Sequence, residues 1–386
     1  MGGSDTSASS NALAAWAASG AMALTGRPDG PPLVAPGRAA LQVREQLGGL
    51  GFEIPGLLGE RAAYAGLSRN GPWSCGGAFR VLPARDGYVG LSLARESDVE
   101  LVPALVSGTE AGEDPWRAVA DWLGGTTAAD AEERIRLLGL PGGVVPTTPP
   151  DERPGVVVTS LGVRAVRERP LVVDLTSLWA GPMCAHLLGR LGARVVKVES
   201  TARPDGARSG PPAFFELLHA GHEQVRIDFA TERDQLRDLV TSADLVLEAS
   251  RPRALRQLGL DTADIVAGGT CWVSITARGR DSDAVGFGDD VAAAAGQVVR
   301  DGDDLLPAGD ALADPLAGVA AAVAARAALA GEEAQLIDVS MLHVAAEAAV
   351  GATPEHQVVR RGGDWWVEYA GGAVPVAPPR PRRAGE

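Results

Sequence analysis

Between residues 170 and 276 the chain alternates short apolar runs with amphipathic segments. PLVVDL (170–175), ARVVKVE (193–199), residues 225–229, DLVLEA (244–249) and CWVSIT (271–276) are short, rich in valine and bounded by turn residues, so they read as strands. Residues 181–191, 232–242 and 253–258 lie between them and read as helices. Strand, helix and strand in succession imply parallel pairing. Continuously apolar strands imply a sheet covered on both faces, with its ligand crevice at the carboxyl ends of the strands. The expected fold class is α/β: a Rossmann-like parallel sheet flanked by helices, plus a smaller mixed α+β domain.

The pattern differs on either side. Residues 11–24 and 39–50 predict helices around the turn-rich RPDGPP, and residues 79–93 predict a hairpin about Asp86-Gly87. Residues 99–106, 115–123 and 128–138 read as helices with interleaved charge, and the proline- and threonine-containing 145–154 as a linker. Beyond the sheet region, the alanine-rich 316–330 predicts a buried helix and 336–339 a late strand. Residues 365–369 and the proline-rich 374–381 predict an extended arm. Residues 14–37 and 289–309 share a small-residue segment, a glycine, a turn and a proline-flanked stretch, a faint internal similarity.

Composition narrows the function classes. A 46% hydrophobic and 22% charged chain of 386 residues is a folded protein with a large core. Its net charge of −14 argues against nucleic acid or an anionic membrane as partner. Cys75, Cys184 and Cys271 are odd in number and far apart, which fits a reducing cytoplasm better than a disulfide framework. The N-terminal MGGSDTSASS lacks the basic and apolar parts of a signal peptide. No membrane span is expected, since the most apolar stretch, 312–329, is largely alanine and broken by Asp314 and Arg326.

Asp314-Pro315 precedes that alanine-rich stretch and predicts a helix N-cap with proline at the first helical position. A carboxylate there is stabilised as an anion by local amides and the helix dipole. Dinucleotide and nucleotide-triphosphate motifs are missing: no G-x-G-x-x-G follows the first strand, and the only lysine, Lys197, lies inside a strand. His219 and His222 have no cysteine or paired carboxylate at ligand spacing, so no metal is expected.

The segments LVVDLTSLWAGPMCAHLLGRLGARVVKVES, RPDGARSGPPAFFELLHAGHEQVRIDF, ADLVLEASRPRALRQLGL and WVSITARG resemble, in this order, the class III CoA-transferase family, which also has an α-methylacyl-CoA racemase branch. Asp314-Pro315-Leu316-Ala317-Gly318 is similar to the family's G-D-x-x-x-G, and Ile337-Asp338-Val339-Ser340-Met341 to its V-D-V-S-M. The resemblance implies transfer of coenzyme A from an acyl-CoA to a carboxylic acid. Asp314 would be the nucleophile, passing through an aspartyl anhydride and an aspartyl-CoA thioester. It implies CoA contacts from Trp179, Ala180, Arg203, Arg208 and Arg251, a glycine loop at Gly76 and Gly77 over the site, and an interlocked homodimer.

Two departures keep alternatives open. Where the family carries N-x-x-K-R-S this chain has His219-Ala220-Gly221-His222-Glu223-Gln224, and the hairpin-bearing part precedes the sheet instead of following it. Residues 1–167 then stand in for the family's small domain, 168–350 form the CoA-binding catalytic domain, and 351–386 an extended C-terminal arm. An acyl-CoA racemase is the enzymatic alternative, although Gly286-Phe287-Gly288-Asp289-Asp290 lacks the histidine of that branch. A CoA-ester binding homologue without chemistry is the other.

Overall fold

The seven-stranded sheet grows from the runs of valine and leucine. The structure is a computed structural model describing residues 3–108, 114–146, 153–250 and 252–382, and it divides the chain into two units. The unit built from Pro154–Asp283 and Asp314–Val344 holds the main sheet. Its strands are β1 (Val156–Val163), β2 (Leu171–Asp174), β3 (Arg194–Ser200), β4 (Glu223–Ile227), β5 (Leu245–Glu248), β6 (Cys271–Thr276) and β7 (Glu333–Ser340). Their order across the sheet is β1-β7-β6-β5-β2-β3-β4, with every pair parallel except the antiparallel β1–β7.

Helices of this unit are α1 (Ala180–Arg190), α2 (Pro212–Leu218), α3 (Arg233–Ser242), α4 (Pro252–Gln257) and α5 (Thr262–Ala267), followed by α6 (Ala313–Ala330) and α7 (Met341–Ala349), which both continue across the unit boundary. Val173, Val196, Val246 and Trp272 of the sheet pack with Leu236, Val240, Leu255 and Val266 of α3 to α5. Burying each large side chain contributes about 1.5–3 kcal/mol, so this one face supplies much of the unit's stability. Asp261 caps α5 by accepting from the N–H groups of Ala263 and Asp264, the sequence-local device that starts so short a helix. The α/β class read from the sequence is the one observed.

The second unit comprises Met1–Arg153, Ala284–Ala313 and Ala345–Glu386. Phe79–Ala84, Gly87–Ser92 and Gly142–Val145 form an antiparallel sheet, against which Pro115–Gly125 and Ala128–Leu138 bury Val119, Leu123 and Ile135. The division departs from the expected one in three places. Residues 156–163, placed in the N-terminal domain, are strand β1 of the main sheet. Residues 284–313 leave that sheet's unit and include the hairpin Val298–Asp301 and Asp304–Pro307. The C-terminal segment is no extended arm: His356–Arg361, Asp364–Tyr369 and Gly372–Pro375 form a three-stranded sheet. Gly362 and Gly363, both at positive φ, make its first turn. Beyond it Arg382 forms a two-pronged ion pair with Glu60, at 2.9 and 2.8 Å, with both side chains buried.

Candidate active site

The sheet's strand order reverses at β2 and β5, since the chain runs from β2 through β3 to β4 on one side and through β5 and β6 to β7 on the other. Ligands of open α/β sheets bind at the carboxyl ends of strands at such a reversal. Two loops meet that description, the β2–α1 turn over residues 175–179 and the stretch following β5.

The β2–α1 turn is held from beneath. Lys197 of β3 is fully buried, and its ammonium lies 2.9 Å from Asp205 Oδ2, 3.7 Å from Asp174 Oδ2 and against the Thr176 carbonyl. Asp174 in turn accepts from the Thr176 amide at 2.9 Å, and Asp205 from the Leu178 and Ala207 amides, each at 2.9 Å. Leu178 sits at φ 71, a left-handed conformation that costs an ordinary side chain about 1–2 kcal/mol. Its hydrogen bond to Asp205 offsets that strain. Gly181 is required by close packing, because a Cβ there would meet Thr176 at 2.2 Å. The sequence pattern showed a strand lysine without a role; its partners, Asp174, Thr176 and Asp205, were missed because only the folded turn brings them together.

Asp314 is half-buried in the first turn of α6. The helix begins at Ala313, so Asp314 is its second residue and Pro315 its third, each two positions deeper than the expected N-cap and first helical position. Proline still removes no intrahelical bond there, because the first N–H groups of a helix have no acceptor. Gly318 lies one turn on, on the same helical face as Asp314. A Cβ on Gly318 would sit 2.5 Å from the Ala180 carbonyl oxygen and 3.0 Å from Met183 Cβ, so α6 and the start of α1 touch backbone to backbone. Asp314 and the β2–α1 turn therefore come to one end of the same sheet. Asp310, four residues earlier, is a structural carboxylate of the other unit: it is 1% exposed and its two oxygens face the Arg61 guanidinium, with Nε at 3.0 Å from Oδ2.

The sequence-derived CoA contacts are placed unequally. Ala180 opens α1 in that contact, and Trp179 beside it is buried, packing edge-on to Phe214 at 5.6 Å. Arg203 is exposed. Arg208 faces Glu199, with Nε 2.9 Å from Oε1, donates to Gln224 at 2.9 Å, and stacks 4.3 Å over Phe215. That guanidinium holds the Glu199 carboxyl down to about 2. Arg251 lies outside the described residues. Gly76 and Gly77 belong to the other unit, in an exposed turn where the Gly77 amide donates to the Ser74 carbonyl at 2.9 Å and Gly77 takes φ 77.

After β5, Glu248 is buried at the strand's end and accepts from the Ser250 amide at 2.6 Å, from Trp272 Nε1 at 3.4 Å and from Arg280 Nη1 at 3.3 Å. Burial pushes its carboxyl up, against these donors. His219 and His222 lie 5.6 Å apart at the end of α2, and burial pushes His219 down to about 4, leaving it neutral. Among the described residues no group of three or more His, Cys, Asp and Glu is arranged to hold a metal ion.

A chain built this way has known relatives. Succinyl-CoA–D-citramalate CoA-transferase of Chloroflexus aurantiacus is 28% identical over 215 residues, covering 49% of this chain and 54% of that protein. Succinyl-CoA:mesaconate CoA-transferase of Haloarcula hispanica is 38% identical over 92 residues, covering 20% of this chain and 22% of that protein. The chain thus spans about half or less of the length of these relatives. Among solved structures, a CAIB/BAIF family protein from Brucella suis superposes with a TM-score of 0.47 at 24% identity, covering 54% of this chain and 66% of that one. The family model for CoA-transferase family III matches residues 170–372, more than half of the sequence, taking in the β2–α1 turn, the Lys197 strand and Asp314. On that match, the chain belongs to CoA-transferase family III.

Proposed function

We propose that the protein moves coenzyme A from an acyl-CoA thioester to a carboxylic acid, with Asp314 as the nucleophile. The observation that carries this reading is the placement of Asp314 on the α6 face that closes on Ala180, at the sheet end where open α/β folds take their ligands. The Asp314 carboxylate attacks the thioester carbonyl, the C–S bond breaks, and the CoA thiolate leaves with an anhydride formed. Thiolate attack on the aspartyl carbonyl then releases the donor acid and gives aspartyl-CoA. The acceptor carboxylate repeats the sequence in reverse, so that product acyl-CoA departs and Asp314 returns to its ionised form.

Half-burial suits this work, because a fully solvated carboxylate is a weak nucleophile and a fully desolvated one is protonated. The amides of the α6 first turn and of the β2–α1 turn are the candidate donors to the developing oxyanion. The acyl-CoA and its carboxylic acceptor are the partners in this reading, and two copies acting together belong to the same proposal.

Incubation with succinyl-CoA and a panel of carboxylic acids tests it. A CoA-sized adduct on the Asp314 peptide, lost in Asp314→Ala, is the expected result. Exchange of the α-proton without an adduct would instead identify a racemase, and CoA-ester binding with neither would identify a binding protein.

A further inference from the structure

Three side chains of the second unit come together with donors and no acceptor. Trp73 and Arg80 pair across an isolated antiparallel bridge at the start of the Phe79–Ala84 strand, and the Arg80 guanidinium lies 4.5 Å over the Trp73 ring. Trp116, in the first turn of the Pro115–Gly125 helix, meets Trp73 edge-on, with ring centroids 5.0 Å apart and planes at 89°. All three residues are half-buried. Among the described residues no carboxylate pairs with Arg80, and its Nε is buried without a hydrogen-bond partner. Asp114, the acid nearest to Trp116 in sequence, spends its carboxylate on the Trp116 and Arg117 amides, at 3.0 and 3.2 Å. A guanidinium keeps its charge when it is buried, and an indole nitrogen only donates. Buried donors in folded proteins are ordinarily completed by some acceptor, and here the fold supplies none to Arg80 Nε.

We propose that Trp73, Arg80 and Trp116 form a binding site for a small aromatic carboxylate, its carboxylate on Arg80 and its ring against the two indoles. The chemistry of the three side chains selects this class. A cation with unused donors calls for an anionic acceptor, and a carboxylate matches the planar guanidinium fork with two parallel hydrogen bonds. The perpendicular indoles favour a flat unsaturated body over a flexible chain, because aromatic rings gain from edge-on and offset contact beyond the area they bury. Inorganic phosphate would answer the charge and leave the rings uncovered. An aliphatic acid would do the same. The competing account is an internal stack in which Arg80 serves only to hold Trp73 beside the helix, and that account gives no response to any ligand. Asp314 belongs to the other unit, so the inference stands independently of the chemistry proposed there.

Calorimetric titration of the full chain with benzoate tests it. Benzoate should bind about tenfold or more tightly than acetate, which has the charge without the ring, and than benzamide, which has the ring without the charge. Arg80→Met keeps an apolar stem over Trp73 and should weaken benzoate about tenfold or more, whereas Asp314→Ala should bind it as the wild type does. That contrast separates this site from an acid held at the proposed nucleophile. In proton–nitrogen spectra benzoate should shift the indole N–H signals of Trp73 and Trp116, identified through Trp73→Phe and Trp116→Phe, ahead of those of the other tryptophans. No benzoate binding by the wild type, benzamide bound as tightly as benzoate, or benzoate binding that survives Arg80→Met overturns the proposal. If Arg80→Met fails to fold, unmoved Trp73 and Trp116 signals overturn it alone.

Discussion

Replacing Lys197 by Met tests how the β2–α1 turn is held. The lysine is fully buried, and its ammonium faces Asp205 at 2.9 Å and Asp174 at 3.7 Å. Methionine matches most of its volume, so packing changes little and the electrostatic loss is isolated. Removing one partner of a buried ion pair costs about 3–5 kcal/mol, because the remaining charge stays desolvated. Asp205 keeps its Leu178 and Ala207 amides and Asp174 its Thr176 amide, which places the expected loss near the lower figure, about 3 kcal/mol. Urea unfolding at pH 7 measures it as a fall in midpoint at constant slope. The turn should also loosen, since Leu178 would hold its left-handed conformation with a weakened anchor, and turnover in the proposed CoA transfer should fall about tenfold or more. Arg203→Ala, at an exposed site, is the control and should change stability by less than about 0.5 kcal/mol. A Lys197→Met protein within 1 kcal/mol of wild type would refute the claim that this ammonium organises the turn.

Gly318→Ala gains about 1 kcal/mol of helix propensity but drives a methyl onto the Ala180 carbonyl, so a net loss of about 1–2 kcal/mol and reduced turnover are expected from melting and transfer assays. In the other unit, Asp290 is buried, accepts from the Phe287 amide and the Ser92 hydroxyl at 2.9 Å each, and is pushed by burial up to about 7. A carboxyl raised on folding stabilises at low pH and loses that contribution as pH climbs from its unfolded value, near 4, through 7. Asp290→Asn should therefore flatten the stability profile across that window and be relatively stabilising at pH 8, read by urea midpoints at several pH values. Glu199 behaves oppositely: held down to about 2 by Arg208, it contributes stability above its unfolded pKa of about 4.5 that is lost as pH falls through 2. Arg208→Met should move acid unfolding to higher pH and cost about 3 kcal/mol or less at pH 7.

The parallel core was legible because fully covered strands are runs of apolar residues, and LVVD, LVLE and CWVSIT can be buried nowhere else. Strand β1 was not, because a strand exposed on both faces has no alternation to read, and its neighbouring prolines looked like a linker. The C-terminal sheet was hidden for a related reason: the Trp365-Trp366 pair puts one ring on each face, and the glycines beside it resemble an unstructured arm. At the site, Asp314 was legible as a helix-start residue, though the helix begins two residues earlier than an N-cap at that position requires. Lys197 was visible only as an oddity, since a buried ammonium makes sense once Asp174 and Asp205 are seen around it. Arg208 read as a free phosphate ligand because nothing local marks Glu199 as its partner.

The position of β7 between β1 and β6 governs how the sheet can be made. Residues 156–163 leave the ribosome early, yet the strand they must join, residues 333–340, is synthesised more than 160 residues later. During that interval the nascent chain can assemble β2 to β6 while β1 has nowhere to attach. A ribosome stalled before Gln335 therefore carries a five-stranded intermediate and a loose, valine-rich segment, the part of the chain that a holdase chaperone is best placed to bind.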